Sequence, residues 1–544
     1  MIIPSGRRAL PLALGVMAAI GGLLVAFRYH YLGLTLSHYD ARGHLVVARR
    51  ILDSVTPGWQ QIGAVWLPLP HLLNALPVQV DAWYRSGASA VAISIVAFAI
   101  AVAAIARVIH TITGSTPAAV AGAAVFALNP NVLYLQATPM TEPLLLALTT
   151  LAVALLLEWC DSAGESGQSL QASAASDPSE RWQVLGVGLT AFTRGRESTL
   201  EAERQRQFGR RVGAGPHANK KMIGVLFALA CWTRYEAWPV TASALAAAVW
   251  VRGRRGEPLA VAGRHVASIA AYPALAIVSF AVLSRVVGGE WLTTSGFFVP
   301  ENEALGDPVL AAAQVWSGAR GLSGPLLMAL ALLGMGTLVA KALSDRQRAG
   351  MIVVLSLVTT AAVPWVAFLD GHPFRIRYMI PLIAIQAVAA GAATILLRRW
   401  RLAGAIILLG VVSYELRPLD LQAPMVVEAQ WDRPNLALRD GVTACLGTPQ
   451  PGAKIMASMG SLAHYMQQAS QAGFRLSHFL HEGNGDIWIA AFTGSPRPFA
   501  DWVLIEEKAE GGDMLAIRAR QDAHFLDGYS RVCEGAGLAL YRRD

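Results

Sequence analysis

The segment from Ser37 to His44 places an acid, an arginine and two histidines directly after the first apolar run of the chain. Asp40 and His44 are four residues apart, so a helix would put both side chains on the same side. A carboxylate and an imidazole there could position or deprotonate a hydroxyl, or provide two ligands for a divalent ion. A structural alternative is that Asp40 caps a helix that begins near Ala41.

A second acid, Glu142, follows Thr141 in the segment ATPMTEPLLLALTT. Thr141 could cap a helix there, and an acid in the first turn would face the positive end of the helix dipole. An acid this close to lipid is costly unless it is paired. Arg234 and Glu236 interrupt the apolar segment around WTRYEAW and are possible partners. They could instead pair with each other, or line a cavity at a break in a span.

A further cluster, DGHPFRIRYMIPL, places Arg375, Arg377 and Tyr378 before a late apolar run. Guanidinium groups bind phosphate through paired, charge-assisted hydrogen bonds. The alternative is a solvated loop whose arginines reach toward lipid headgroups. Acids that act as a base, together with arginines that hold phosphate, would form a site for a lipid-phosphate substrate.

Composition predicts a polytopic membrane protein. Charged residues make up 15% of the 544 residues, against about 25% in soluble proteins, and the mean hydropathy is +0.44. The apolar runs approach the ~20 residues that cross a bilayer, where backbone groups must bond within helices. We therefore predict a mostly α fold, a transmembrane bundle of about eleven spans. The predicted spans are 9–27, 87–107, 117–135, 143–159, two short spans within 222–251, 266–285, 321–340, 350–369, 378–397 and 402–414.

Basic residues set the predicted orientation in a bacterial-type inner membrane. The formal net charge is +8, and the cations cluster in short segments such as Arg252–Arg255 and Lys341–Arg348. The positive-inside rule makes these segments cytoplasmic, which does not indicate nucleic acid as a partner. The N-terminus is then cytoplasmic and the C-terminus extracytoplasmic. All the clusters described above would lie at the level of the outer leaflet.

The regions outside the spans differ in composition. Residues 28–86 form a first outer loop, in which ARGHLVVARRILDSV fits an amphipathic helix in the membrane interface, with Trp66 further on as an interfacial anchor. Residues 160–221 are polar and then basic, which predicts a disordered cytoplasmic loop. Residues 417–544 have a soluble composition. We predict that they form a small extracytoplasmic α/β domain, after a membrane domain at 1–416.

Within this C-terminal region, KIMAS, DWVLIE and GLALYRRD indicate strands, and SLAHYMQQASQAG indicates a helix that ends at Gly473. Cys445 and Cys533 both fall on the predicted outer side of the membrane. An oxidising compartment permits a disulfide between them, although their geometry cannot be read from the sequence.

Residues 1–415 resemble the polytopic membrane glycosyltransferases with the GT-C fold. The similar motifs are HYDARGHLVVARRI, GAVWLPLPHLL, TPMTEPLLLAL, WTRYEAW and RIRYMIPLI. The class includes protein O-mannosyltransferases and lipid A aminoarabinose transferases. HYDAR carries one acid where the O-mannosyltransferases have an Asp-Glu pair, which argues against that particular activity.

The resemblance implies transfer of a sugar from a polyprenyl-phosphate donor to an acceptor hydroxyl on the outer face, with inversion by a single displacement. It implies that Asp40 is the general base or a metal ligand, and that Arg375 or Arg377 holds the donor phosphate. Glu142 matches an acid of the family whose role is less certain, and we predict it as a catalytic residue together with Asp40. The predicted substrate-binding residues are His44, Arg234, Glu236, Arg375, Arg377 and Tyr378.

The cofactor is left open, with a divalent metal at Asp40 and His44 as one option. The acceptor is a glycan, a lipid or a protein, and neither it nor the sugar can be read from the sequence. A transporter or flippase for an anionic or lipid-linked substrate is the main alternative. It would place charges near the middle of the bilayer, in paired broken helices.

Overall fold

A computed structural model describes residues 6–63, 65–174, 219–289, 291 and 302–544. Most of the predicted cytoplasmic loop, residues 175–218, lies outside this range. The predicted mostly α fold is confirmed. The helices of eight or more residues are Gly6–Tyr31, Tyr39–Arg49, Ala88–Thr113, Thr116–Ala127, Glu142–Ala174, Lys220–Cys231, Ala237–Arg254, Leu259–Gly288, Pro308–Ser323, Pro325–Ser344, Ala362–Leu369, Leu382–Ala393, Arg401–Glu415, Leu436–Leu446, Met459–Ala469, Asp486–Thr493 and Met514–Gln521.

Seven helical segments among the described residues are long and apolar enough to cross a membrane. The count of eleven stays a prediction, because the other four predicted spans correspond to shorter helices. One of them breaks at Asn129, whose side chain caps a separate short helix, Pro130–Leu135. The seven segments are Ala9–Tyr31, Ala88–Thr113, Glu142–Ser162, Leu259–Gly288, Pro325–Ser344, Arg346–Leu369 and Ile376–Leu397.

Segment Ile376–Leu397 lies at the centre of the bundle. In its most apolar stretch, 89% of the residues are buried inside the protein, against 22% in the corresponding stretch of Ala9–Tyr31. Close helix approach requires glycine here, since a Cβ added at Gly334 would lie 1.8 Å from the Ala389 carbonyl oxygen. Small residues allow such contacts between membrane helices, where apolar area alone drives little association. The start of this central segment carries Arg377.

The helix predicted near residue 41 is present, but its position and surroundings differ from the prediction. It begins at Tyr39, and the N-cap is His38 rather than Asp40. It does not lie exposed in an interface, because every residue from Asp40 to Arg49 is buried. Helix Met459–Ala469 of the C-terminal region covers it. The pattern in the sequence gave no sign of this tertiary cover.

The arginines of helix Tyr39–Arg49 are satisfied inside the protein. Arg42 donates to the Leu36 carbonyl at 2.7 Å and to Gln468 Oε1 at 3.3 Å. Arg49 pairs with Asp53 at 2.9 Å and with Asp81 at 2.6 Å. Their burial is possible because each guanidinium finds partners, as buried charges require.

The C-terminal region contains five strands, β1 to β5, which are Ile455–Ala457, Phe479–Leu480, Trp502–Glu506, Tyr529–Gly535 and Leu538–Arg543. They form one sheet of order β2-β1-β3-β5-β4. Strands β2, β1 and β3 are parallel, whereas β5 pairs antiparallel with β3 and β4. The predicted strands correspond to β1, β3 and β5, and the predicted helix to Met459–Ala469 with a final turn before Gly473. The patterns in the sequence did not predict β2 or β4.

Two features hold this region together and join it to the rest of the chain. A disulfide links Cys445 to Cys533, with Cα atoms 6.4 Å apart, and so ties helix Leu436–Leu446 to β4. Leu45 and Val46 of helix Tyr39–Arg49 share one apolar cluster with Leu462 of the C-terminal region. The domain boundary at residue 416 stays a prediction, and apolar packing crosses it.

Candidate functional site

Asp40 and Arg377 form a buried ion pair. Asp40 lies in the first turn of helix Tyr39–Arg49, and Arg377 lies in the short 3-10 turn Ile376–Met379. His38 Nδ1 accepts the Asp40 backbone N–H at 3.1 Å and so caps the helix. Because His38 is the cap, the Asp40 carboxylate is available to contact the guanidinium.

A second buried cluster surrounds Arg234, in the break between helices Lys220–Cys231 and Ala237–Arg254. Arg234 Nη1 lies 3.0 Å from Glu142 Oε1, and Nη2 lies 2.7 Å from Glu236 Oε1. Arg234 also donates to the Thr141 hydroxyl at 3.1 Å. The internal Arg234–Glu236 pair and the longer-range contact to Glu142 therefore exist together. One guanidinium between two carboxylates leaves one formal negative charge.

The two clusters share one electrostatic environment. The charges of both Asp40 and Glu142 act on Arg377, and the charge of Arg377 acts on Arg234. Glu142 is fully buried and Asp40 is 8% exposed, so solvent screens these interactions weakly. The structure thus brings together acids and arginines from four separate segments of the chain.

Among the described residues, His44 forms no hydrogen bond or ion pair with Asp40. Its Nδ1 lies 3.1 Å from His71 Nε2, and its ring centroid lies 4.1 Å from that of Trp66. Trp66, predicted as an interfacial anchor, is half-buried against this histidine and against Gly43, where an added Cβ would lie 2.8 Å from the indole.

Both histidines of this contact are neutral near pH 7. Burial, with a smaller effect of the Arg50 charge, lowers the pKa of His71 to about 3. Burial also lowers the pKa of His44 well below its ordinary value, and the nearby His71 and Arg377 lower it further. These rings therefore add no positive charge beside Arg377.

The residues present do not fit a divalent metal site at Asp40 and His44. The Asp40 carboxylate contacts Arg377, and His44 Nδ1 contacts His71. Across the residues that the structure describes, no group of three or more His, Cys, Asp or Glu side chains could hold a metal ion. Zinc needs at least three protein ligands, more than this pair supplies.

The other residues of the late cluster surround Arg377. Tyr378 Oη lies 3.4 Å from Arg377 Nη2 and 3.2 Å from His372 Nε2. The guanidinium carbon of Arg375 lies 5.5 Å from the centre of the Trp431 ring. Within the described parts of the chain, no carboxylate forms an ion pair with Arg375. Arg375 is half-buried, and its charge acts on Tyr39, beside Asp40.

Sequence reasoning missed Glu428, which contacts elements next to both members of the ion pair. It is 4% exposed, and its Oε2 accepts the Ile376 backbone N–H at 2.7 Å. Its Oε1 lies 3.8 Å from His38 Nε2. The one available signal was a lone acid directly after the apolar residues of PMVVE, which also fits an ordinary surface acid.

No family model matches the chain, and no curated protein matches it in sequence. Solved structures do match. ArnT from Cupriavidus metallidurans, an aminoarabinose transferase, matches in the apo state with a TM-score of 0.53 and 12% identity, over 96% of this chain and 97% of that one. The same protein bound to undecaprenyl phosphate matches with a TM-score of 0.52, 11% identity and the same coverage.

The archaeal oligosaccharyltransferase AglB from Archaeoglobus fulgidus, in complex with an inhibitory peptide and a dolichol-phosphate, has a TM-score of 0.45 at 12% identity, over 91% of this chain and 69% of that one. It is too distant to support an argument. The match to ArnT along nearly the whole chain confirms the predicted GT-C fold.

Proposed function

We propose that this chain, which has the GT-C fold, is a membrane glycosyltransferase that moves a sugar from a polyprenyl-phosphate donor to an acceptor hydroxyl. The observation that carries the proposal is the Asp40–Arg377 ion pair. It joins a carboxylate, which can accept a proton, to a guanidinium, which can stabilise a phosphate. The binding of undecaprenyl phosphate by the fold neighbour ArnT supports the donor class.

In the proposed reaction, Asp40 accepts the proton of the acceptor hydroxyl. The hydroxyl oxygen attacks the anomeric carbon while the bond from that carbon to the phosphate oxygen breaks. Polyprenyl phosphate leaves, and the anomeric centre is inverted. Protonation removes the charge of Asp40 as negative charge grows on the phosphate, so Arg377 can exchange one anionic partner for another inside the buried site.

Arg375 is the proposed primary ligand of the donor phosphate. Arg377 and Arg234 each already contact a carboxylate, whereas the Arg375 guanidinium rests on Trp431 without one among the described residues. Tyr378, which contacts Arg377, is proposed to bind the donor beside it. An unpaired arginine can form two hydrogen bonds to a phosphate without first breaking an ion pair.

We propose a supporting role for the cluster of Glu142, Arg234 and Glu236. Glu142 is fully buried and Arg234 is held by two acids. The cluster would fix the electrostatic potential around Arg377 and line the sugar pocket together with His44. In this arrangement Glu142 acts through Arg234 rather than as a second base.

The seven apolar helices fit a multi-pass membrane protein. We propose that the N-terminus is cytoplasmic and that the site and residues 417–544 are extracytoplasmic, because the basic segments between the apolar runs would then be cytoplasmic. The polyprenyl-linked donor would enter from the surrounding bilayer.

The direct test is incubation of the purified protein with a panel of polyprenyl-phosphate sugars labelled in the sugar. We expect loss of label from the lipid with one donor, and its appearance in a candidate glycan, lipid or protein acceptor. Reconstituted vesicles distinguish the alternative function, since a flippase would move the intact labelled lipid between leaflets. Movement of uncleaved lipid without transfer of its sugar would refute the proposal.

A further inference from the structure

Glu428 ends the short helix Pro424–Glu428, which follows the last long apolar helix, Arg401–Glu415. Burial of a carboxylate is costly unless its oxygens are satisfied. One of them, Oε2, accepts the backbone N–H of Ile376 at 2.7 Å. Ile376 directly precedes Arg377, so this bond fixes the start of the turn that carries the guanidinium.

The other oxygen, Oε1, faces His38. Because His38 Nδ1 accepts the Asp40 N–H, a neutral ring must carry its hydrogen on Nε2. That nitrogen lies 3.8 Å from Glu428 Oε1. Within the described chain, neither atom has a hydrogen-bond partner elsewhere. This distance is too long for a hydrogen bond, so Glu428 acts on the capping imidazole through the charge of a buried carboxylate that faces Nε2.

The short helix that carries Glu428 is itself anchored to the membrane bundle. The Met425 backbone N–H donates to Asn131 Oδ1 at 2.9 Å, and Asn131 donates in turn to the Leu322 carbonyl at 3.1 Å. Glu428 is thus held in place independently of the two elements that it contacts.

We propose that Glu428 is a positioning residue that sets the separation and orientation of Asp40 and Arg377. One of its oxygens accepts a hydrogen bond from the Ile376 backbone, and the charge of the other faces the His38 cap. Its effect on transfer rests on the proposed function, whereas its effect on the two segments does not. The short helix Pro424–Glu428, which follows the long helix Arg401–Glu415, therefore contributes a residue to the proposed site.

The test uses Glu428→Ala and Glu428→Gln in the full-length protein. The matched control is Glu506→Gln, since Glu506 is also buried and accepts two backbone N–H groups, from Lys508 at 2.9 Å and Ala509 at 3.0 Å. Hydrogen–deuterium exchange is followed in peptides that cover 36–50 and 370–382. This readout needs no substrate.

We expect Glu428→Ala to raise exchange at least about ten-fold in both peptides, because each loses the contact that anchors it. Glu506→Gln should raise it in neither. In Glu428→Gln, the amide oxygen can still accept the Ile376 N–H, so exchange should rise mainly in the 36–50 peptide. If Glu428→Ala does not fold, the exchange of Glu428→Gln in the 36–50 peptide still tests the proposal.

In transfer assays, Glu428→Ala should lower kcat by about 10²-fold with little change in KM for the donor, as expected when reacting groups are misplaced. His38→Asn keeps a helix cap but loses the contact to Glu428, so its effect should not multiply with that of Glu428→Ala. Unchanged exchange in either peptide of Glu428→Ala, or in the 36–50 peptide of Glu428→Gln, would overturn the proposal. A wild-type protein that transfers no sugar would instead overturn the proposed function alone.

Discussion

The two buried charge clusters of the site are built differently. Asp40 and Arg377 form a pair with no net formal charge, whereas Arg234 lies between Glu142 and Glu236 with one negative charge in excess. If Asp40 gains a proton, Arg377 is left to balance a new anion. If one acid near Arg234 gains a proton, the other still pairs with the arginine. We therefore propose that the pair carries the chemistry and that the cluster around Arg234 supports it.

Arg377→Gln should have the largest effect of the arginine substitutions, because it removes the cation from the pair. We expect kcat to fall by roughly 10²–10³-fold and the unfolding free energy to fall by about 3–5 kcal/mol, since Asp40 is left buried without its partner. Single-turnover transfer and thermal unfolding in detergent measure the two effects. A variant with normal stability and normal transfer would break the distinction between the clusters.

Arg375→Gln should raise KM for the donor by about 10–100-fold with little change in kcat. This follows if its guanidinium makes a charged hydrogen bond of about 1.5–3 kcal/mol to the donor phosphate. The matched control is Arg433→Gln, because Arg433 is an exposed arginine two residues after Trp431. A normal donor KM in Arg375→Gln would leave Arg377 as the phosphate ligand.

Acid should destabilise the protein through protonation of His71, the buried histidine that contacts His44. The effect tests whether these two histidines must stay uncharged beside the Asp40–Arg377 pair. The pKa of His71 is about 3 in the folded protein and about 6.5 when unfolded. The unfolded state thus binds more protons, and stability is lost as the pH falls from 6.5 toward 3.

Between pH 7 and pH 5, the wild-type protein should lose about 2 kcal/mol more than His71→Asn, at about 1.4 kcal/mol per pH unit below 6.5. Thermal unfolding of both proteins at the two pH values gives this difference. Equal losses in the two proteins would show that His71 is not held neutral.

Glu236→Gln should have the smallest effect, because Arg234 keeps its contact with Glu142. We expect a loss of about 1 kcal/mol in unfolding free energy and a decrease of less than about ten-fold in transfer. Unfolding and transfer are measured as for Arg377→Gln. A loss as large as that in Arg377→Gln would mean that both clusters take part directly in the reaction.

The sequence revealed residues whose charge is unusual for their surroundings. Asp40, Glu142, Arg234 and Arg377 stand out because they adjoin apolar runs, and the structure places them in one site. It could not reveal that helix Tyr39–Arg49 is covered by Met459–Ala469, since that burial depends on packing between residues distant in the chain.

Glu428 escaped notice for a related reason. An acid at the end of a short helix is common on protein surfaces, and only the fold shows that its oxygens contact Ile376 and His38. Strand β2 has two residues, Phe479–Leu480, which is too short for a periodic pattern. Pairing with β1 makes it a strand, and this is a tertiary effect.

The most direct test of the pair as the reaction centre compares transfer by Asp40→Asn and Asp53→Asn. Asp53 follows the helix that carries Asp40, Tyr39–Arg49, and pairs with Arg49. Loss of the base should lower kcat of Asp40→Asn, measured per folded enzyme, by about 10²–10⁴-fold, while Asp53→Asn should keep most of its activity. Near-normal turnover by Asp40→Asn would contradict the assignment of Asp40 as the base.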